Sequence, residues 1–177
     1  QRSRSRKEKE QVRRGAMPTP DFVLKLREKI GHDHLWLSGV TVFVFDDDRT
    51  HCLLVQRADN HQWTPITGII DPGEEPARAG VREVLEETGC ACTIEFLSNV
   101  GAVGPVTHAN GDLASYLDLA FVATHVRGEP HPADGENLQA AWFPIDDMPE
   151  LNRRFRAGLR RAIDQLFSGD RAAYFKR

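Results

Sequence analysis

Cysteine is scarce: Cys52, Cys90 and Cys92 are the only three in 177 residues. So small and odd a number excludes a disulfide framework. No second Cys/His pair stands at a zinc spacing, so the thiols read as buried or half-buried groups in a reducing compartment. Long apolar runs are also missing. No stretch approaches the roughly 18 apolar residues of a membrane span, and the basic N-terminus has no apolar segment behind it to make a secretory signal. Internal repeats and a low-complexity core are absent. A soluble, cytoplasmic protein with one domain of ordinary size is expected.

Aromatic residues are missing from residues 1–16, which carry seven Lys/Arg against two Glu. The formal net charge of −3 is therefore +5 in this arm and −8 in the remainder. With nothing in the arm to stack on bases, it reads as a flexible basic extension ahead of Met17, itself a candidate start site. No nucleic-acid partner is expected, and residues 17–177 form the domain.

What is present alternates between helical and strand patterns. In "TPDFVLKLREKIGHD", Thr19 is placed to cap, Pro20 suits a first turn and Gly31 an end, within an N-terminal helical segment at 17–34. Phe22, Leu26 and Ile30 recur at helical spacing. "GVTVFVF", the turn "DDDRT" and "HCLLVQR" predict a hairpin. "CTIEFLSNVG" alternates as a strand, "THANGD" holds an Asn-Gly turn, and "ASYLDLAFVATHV" is a long strand. A Gly/Pro-rich loop over 127–137 leads to the short strand "LQAAWFP". At 152–168, Phe155, Leu159, Ala162, Ile163 and Leu166 form the stripe of an amphipathic helix. This order predicts an α/β fold, a mixed sheet with helices on both faces. Trp36 and Trp142 are assigned to packing.

Residues 68–90, "GIIDPGEEPARAGVREVLEETGC", carry the chemistry. Pro76 suits the start of a helix and Gly89 its end. At about 100° per residue, Ala77, Val81, Val84, Leu85 and Thr88 fall on one side and Glu83, Glu86 and Glu87 on nearly the opposite side. Carboxylates at i, i+3 and i+4 repel one another unless a hard cation with a taste for oxygen lies among them. The pattern fits both a solvated helix face and a divalent-metal cluster aimed at a polyphosphate.

Gly68, Glu74, Arg82, Glu83, Val84, Glu86, Glu87, Gly89 and Cys90 match the Nudix signature at every fixed position, with Cys90 where a larger aliphatic residue is usual. The chain resembles the Nudix hydrolase family over roughly residues 35–167. The resemblance implies an α/β/α sandwich with a mixed, curved sheet and the signature as loop–helix–loop. It implies hydrolysis, with Mg²⁺ or Mn²⁺, of a nucleoside diphosphate linked to another moiety. Glu83, Glu86 and Glu87 become metal ligands, with the Thr67 carbonyl as a further one. Arg82 pairs with Glu74 or a neighbouring glutamate, Gly68 permits a tight turn, and Gly89 closes the helix. Glu136 falls where some members place a distant base; an extra ligand or a surface turn residue are its other readings.

Pro105, sixteen residues after Gly89, resembles the proline spacing of ADP-ribose pyrophosphatases, so ADP-ribose or another nucleotide sugar is favoured. The alternatives are a MutT-like triphosphate pyrophosphatase, which clears oxidised nucleotides, and a non-catalytic nucleotide sensor. A sensor would be expected to have lost signature carboxylates, and none is missing. Trp63 and Tyr116 are candidates to stack on a base or to sit in the core. Arg57 is placed to hold a phosphate or to join a surface ion pair. A homodimer is compatible with the resemblance.

Overall fold

The computed structural model describes residues 19–177; the basic arm and Met17 lie outside the described residues. In chain order the elements are α1 (Asp21–Ile30), β1 (Leu35–Phe45), β2 (His51–Arg57), β3 (Trp63–Thr64), β4 (Ile66–Ile69), α2 (Pro76–Thr88), β5 (Ala91–Thr107), β6 (Leu113–Arg127), β7 (Asn137–Pro144), α3 (Arg153–Ser168) and β8 (Tyr174–Phe175).

β1 is buried on both faces from Gly39 to Phe45, the signature of a central strand covered by helices. It runs parallel to β6 from Leu35↔Ala114 to Val44↔Ala123, and antiparallel to β4 from Gly39↔Ile69 to Val42↔Ile66. β4 therefore occupies the edge that a full β1–β2 hairpin would need. The hairpin is reduced to Val44↔Leu53 and Phe45↔Cys52, and β2 continues against β7. Its turn is closed by Asp46, which accepts from the Thr50 and His51 amides at 2.7 and 2.9 Å. β5 and β6 form a hairpin around Asn110-Gly111, with register shifts that curve the eight-stranded mixed sheet.

The sheet separates two cores. On one face Phe43, Phe45, Ala120 and Val122 meet Phe155, Leu159, Ala162 and Leu166 of α3. On the other, Val40, Val42, Val44, Phe121 and Ala123 meet Ala79 and Val84 of α2. This is the expected mixed α/β architecture with helices on both faces. α3 begins at Asn152, whose side chain accepts from the Phe155 amide at 2.9 Å.

Several local expectations change. α1 spans Asp21–Ile30 within the expected 17–34, its N-cap is Pro20 with no side-chain cap bond, and its buried residue is Val23. Leu26 is exposed because only the Val23 side rests on Leu37 and Ala114. Trp36 is 59% exposed, standing at the start of β1 before the stretch buried on both faces. Trp142 packs against the α2-side core.

Candidate active site

β4 delivers Thr67 and Gly68 to the C-terminal half of α2. Gly68 lies within the extended strand, so it makes no turn; its role is close approach. A Cβ there would overlap the Glu83 side chain. The turn comes later, where the Glu74 amide donates to the Asp71 carbonyl and the Asp71 amide to Glu74 Oε2.

Arg82 organises the segment. Its Nε and Nη2 donate to the two oxygens of Glu74 at 2.8 and 2.9 Å. Nη1 reaches Glu83 at 2.7 Å and Glu86 at 3.1 Å, and Nη2 also reaches the Ile69 carbonyl at 3.1 Å. A planar fork suits this divided task better than an ammonium would. Arg82 holds Glu74 below its ordinary carboxylate value.

The helix presents a different face from the one its apolar residues suggest. Glu87 is 7% exposed and Leu85 is 52% exposed; Ala79, Gly80, Val84, Glu87 and Thr88 are the buried set. The loop after β6 rolls over the end of α2, its His131 and Ala133 amides donating to the Thr88 and Glu87 carbonyls. That fold-over turns Glu87 inward, where it accepts from the Thr67 amide at 3.3 Å and Asn137 Nδ2 at 3.2 Å. Gly89 closes the helix in the left-handed region at φ 70°, with His131 packed where a side chain would stand.

The carboxyls are short of compensating charge. Burial pushes Glu83 up to about 7 despite Arg82. Burial, then Glu83 and Asp134, hold Glu87 well above the carboxylate range. Glu136 is half-buried in the bend before β7, and burial followed by Asp134 pushes it up to about 8. Its Oε1 is buried with no hydrogen-bond partner. Among the described residues no three His, Cys, Asp or Glu side chains are gathered tightly enough to hold a metal as they stand. Glu83 and Glu86 are instead turned onto Arg82. Desolvated, mutually repelling carboxyl oxygens nonetheless fit a hard divalent cation.

These groups open onto a cavity of about 620 Å³ that crosses β4, β1 and β6 to Tyr116, Asp118 and Arg154. Beside it lies a recess of about 10 Å³ between Arg57, Thr67, Glu87, Glu136 and Asn137, room for one water. Arg57 lines both spaces with its fork engaged by Asp59 at 2.9 and 2.6 Å. Tyr116 lines the cavity and bonds His108 Nε2 at 2.7 Å. Trp63 packs edge-on to Phe143 at 4.7 Å, outside the lining. Pro105 also lies outside, exposed where β5 shifts register between Val103 and Val106. Asn137, Asp59 and Asp118 went unnoticed in the sequence. Only Asp118 had a signal there, a lone acid in the apolar strand "YLDLAFV".

A mixed sheet between helices, with a glutamate-bearing loop–helix–loop at the mouth of a large cavity, defines the class as Nudix-type domains. The NUDIX domain model matches residues 36–166, and the chain belongs to that family. It is 34% identical over 116 residues to the Homo sapiens 8-oxo-dGDP phosphatase NUDT18, across 62% of this chain and 33% of that protein. It is 32% identical over 112 residues to the NAD-capped RNA hydrolase NudC of Deinococcus radiodurans, across 61% of this chain and 37% of that protein. The matched segment is thus about a third of each relative's length. The MutT NUDIX hydrolase of Burkholderia pseudomallei superposes with a TM-score of 0.57 at 26% identity, over 72% of this chain and 98% of that one. Among the described residues no helix is long and apolar enough to cross a membrane.

Proposed function

We propose that this chain hydrolyses the phosphoric anhydride bond of a nucleoside diphosphate joined to another group, with Mg²⁺ or Mn²⁺. The observation that carries this is the placement of Glu83, Glu86 and Glu87 on one wall of the cavity, with Arg82 and Glu74 fixing the loop beside them. Those three carboxylates and the Thr67 carbonyl are the proposed metal donors. A divalent ion bound there would neutralise phosphate oxygens and lower the pKa of bound water.

The protein's own groups divide the remaining work. Arg82 keeps Glu83 and Glu86 pointed at one place and holds Glu74 ionised. Gly68 leaves room for Glu83 to lie against the strand. Glu136, beside the one-water recess and with one oxygen unpartnered, is proposed as the base that holds the water's proton. Asn137 and the Thr67 amide fix Glu87 from behind.

ADP-ribose and other nucleotide sugars form the first substrate group to assay. The proline spacing that favoured them lies off the cavity and lends them no contact. The MutT-like reading draws support from the 34% identity to a protein named an 8-oxo-dGDP phosphatase. A panel of ADP-ribose, sugar nucleotides, dinucleotides, NTPs and oxidised dNTPs, each assayed with Mg²⁺ and Mn²⁺, tests the proposal. Release of a nucleoside monophosphate from at least one is expected; no turnover anywhere would leave the sensor reading in its place.

A further inference from the structure

At the far end of the cavity sits a carboxylate that the hydrolytic chemistry does not use. Asp118 of β6 stands in register with Gly39 of β1, and Gly39 with Ile69 of β4. Two strand spacings of about 4.8 Å, roughly 10 Å in all, therefore separate it from the strand that carries Thr67 and Gly68. That span is comparable with the distance from a nucleoside's 5′ phosphate to the far edge of its base.

Asp118 is 8% exposed yet lines the cavity. Thr41 Oγ1 donates one proton to it, lying 3.0 and 3.1 Å from its two oxygens, and Arg154 Nη1 donates to Oδ2 at 3.2 Å. An ionised carboxylate offers about four acceptor positions, so about two are left over. Oδ1 looks across the gap left by Gly39, where a Cβ would stand 3.5 Å from it and 3.5 Å from the Tyr116 ring. As a purely structural pair this arrangement is poor. Arg154 gives Asp118 a single hydrogen bond, its guanidinium lies 4.2 Å over the Phe155 ring and its side chain is 41% exposed, whereas a buried carboxylate needs close and complete pairing to offset its desolvation.

We propose that Asp118, with Arg154 beside it, reads the base of the nucleotide substrate and selects guanine, oxidised at C8 or not, over adenine. Guanine's outer edge carries an acceptor, O6, followed by two donors, N1–H and N2–H₂. The Asp118 carboxylate accepts from both donors and the remaining Arg154 protons meet O6. Adenine brings a single donor and turns the N1 lone pair onto the carboxylate, which adds a repulsive element to the lost bond. Oxidation at C8 leaves the read edge unchanged. The inference rests on the nucleotide-hydrolase reading, names the base within it, and sets the guanine-bearing members of the substrate panel ahead of ADP-ribose.

The test uses GMP and AMP, which have no anhydride bond to cleave, titrated calorimetrically into the full chain with Mg²⁺. The wild type is expected to bind GMP at least about tenfold more tightly than AMP, in line with one bidentate base contact. Asp118→Asn should bring the two affinities within about threefold by weakening GMP alone. Arg154→Lys, which keeps a cation beside Asp118 but loses the planar fork, should remove part of the preference. Equal wild-type affinities, no GMP binding, or an Asp118→Asn loss shared by both nucleotides would overturn the inference. Selective GMP binding without turnover of any substrate would uphold the base reader and overturn the hydrolase reading. Turnover that treats adenine and guanine substrates alike would do the reverse.

Discussion

Gly68 and Glu83 are a matched pair, because the strand can lie against the helix only where it lacks a side chain. Gly68→Ala is expected to displace Glu83 and cost about 1–3 kcal/mol by overpacking. Loss of most turnover with a folded protein of lower Tm would bear this out; unchanged activity and Tm would show that the contact is slack. The carboxyls also make a statement about pH. Glu83 and Glu136 are pushed by burial to about 7 and about 8, above their ordinary 4.5. A carboxyl with a raised folded value contributes stability that is present below 4.5 and is lost as pH rises through that folded value. The metal-free protein should therefore lose stability between about pH 5 and pH 8. Mg²⁺, which competes with those protons, should raise Tm more at pH 8 than at pH 5; an equal or reversed shift in thermal melts would contradict the metal assignment.

At the scale of elements, α2 shows what a sequence pattern can and cannot carry. Its ends were legible, because Pro76 and Gly89 have local preferences that need no neighbour. Its buried face was not. An apolar projection puts Leu85 inside and Glu87 outside, whereas the loop at His131 and Ala133 caps the helix from above and draws Glu87 in. That loop is more than forty positions away, and nothing in helical periodicity registers it. Strands and the Asn-Gly hairpin were likewise readable from local signals. The parallel β1–β6 pairing, and β4's claim on the edge that β2 would have used, depend on contacts remote in sequence. Gly89→Ala should cost about 1–2 kcal/mol, through left-handed backbone strain and the clash with His131. Adding His131→Ala should recover the clash component alone. Chemical denaturation of the two variants checks this, and full recovery would show that the backbone is relaxed there.

Over the whole molecule, the sheet brings together groups that the chain keeps far apart. The glutamates reach the cavity from α2, Glu136 from the loop before β7, Asp118 from β6 and Arg154 from α3. The signature was readable because its members lie within 23 consecutive residues. The far end of the cavity was not, because Asp118 and Arg154 are single residues on separate elements. Pro105, singled out by spacing, lies outside the cavity, while Asp118, hidden in an apolar strand, lies within it. The proposed chemistry depends on one buried carboxyl, Glu87, above the others. Glu87→Gln keeps the shape of that group and an acceptor oxygen for the Thr67 amide, its new NH₂ is met once the Asn137 amide turns its oxygen round, and it removes a carboxyl that burial disfavours in its ionised form, so the fold should lose little. The decisive measurement is kcat for Glu87→Gln against wild type, on the best substrate of the panel with Mg²⁺, together with Tm. A fall of more than about 100-fold at an unchanged or higher Tm is predicted, and near-wild-type turnover would contradict a metal-dependent hydrolase built on these glutamates.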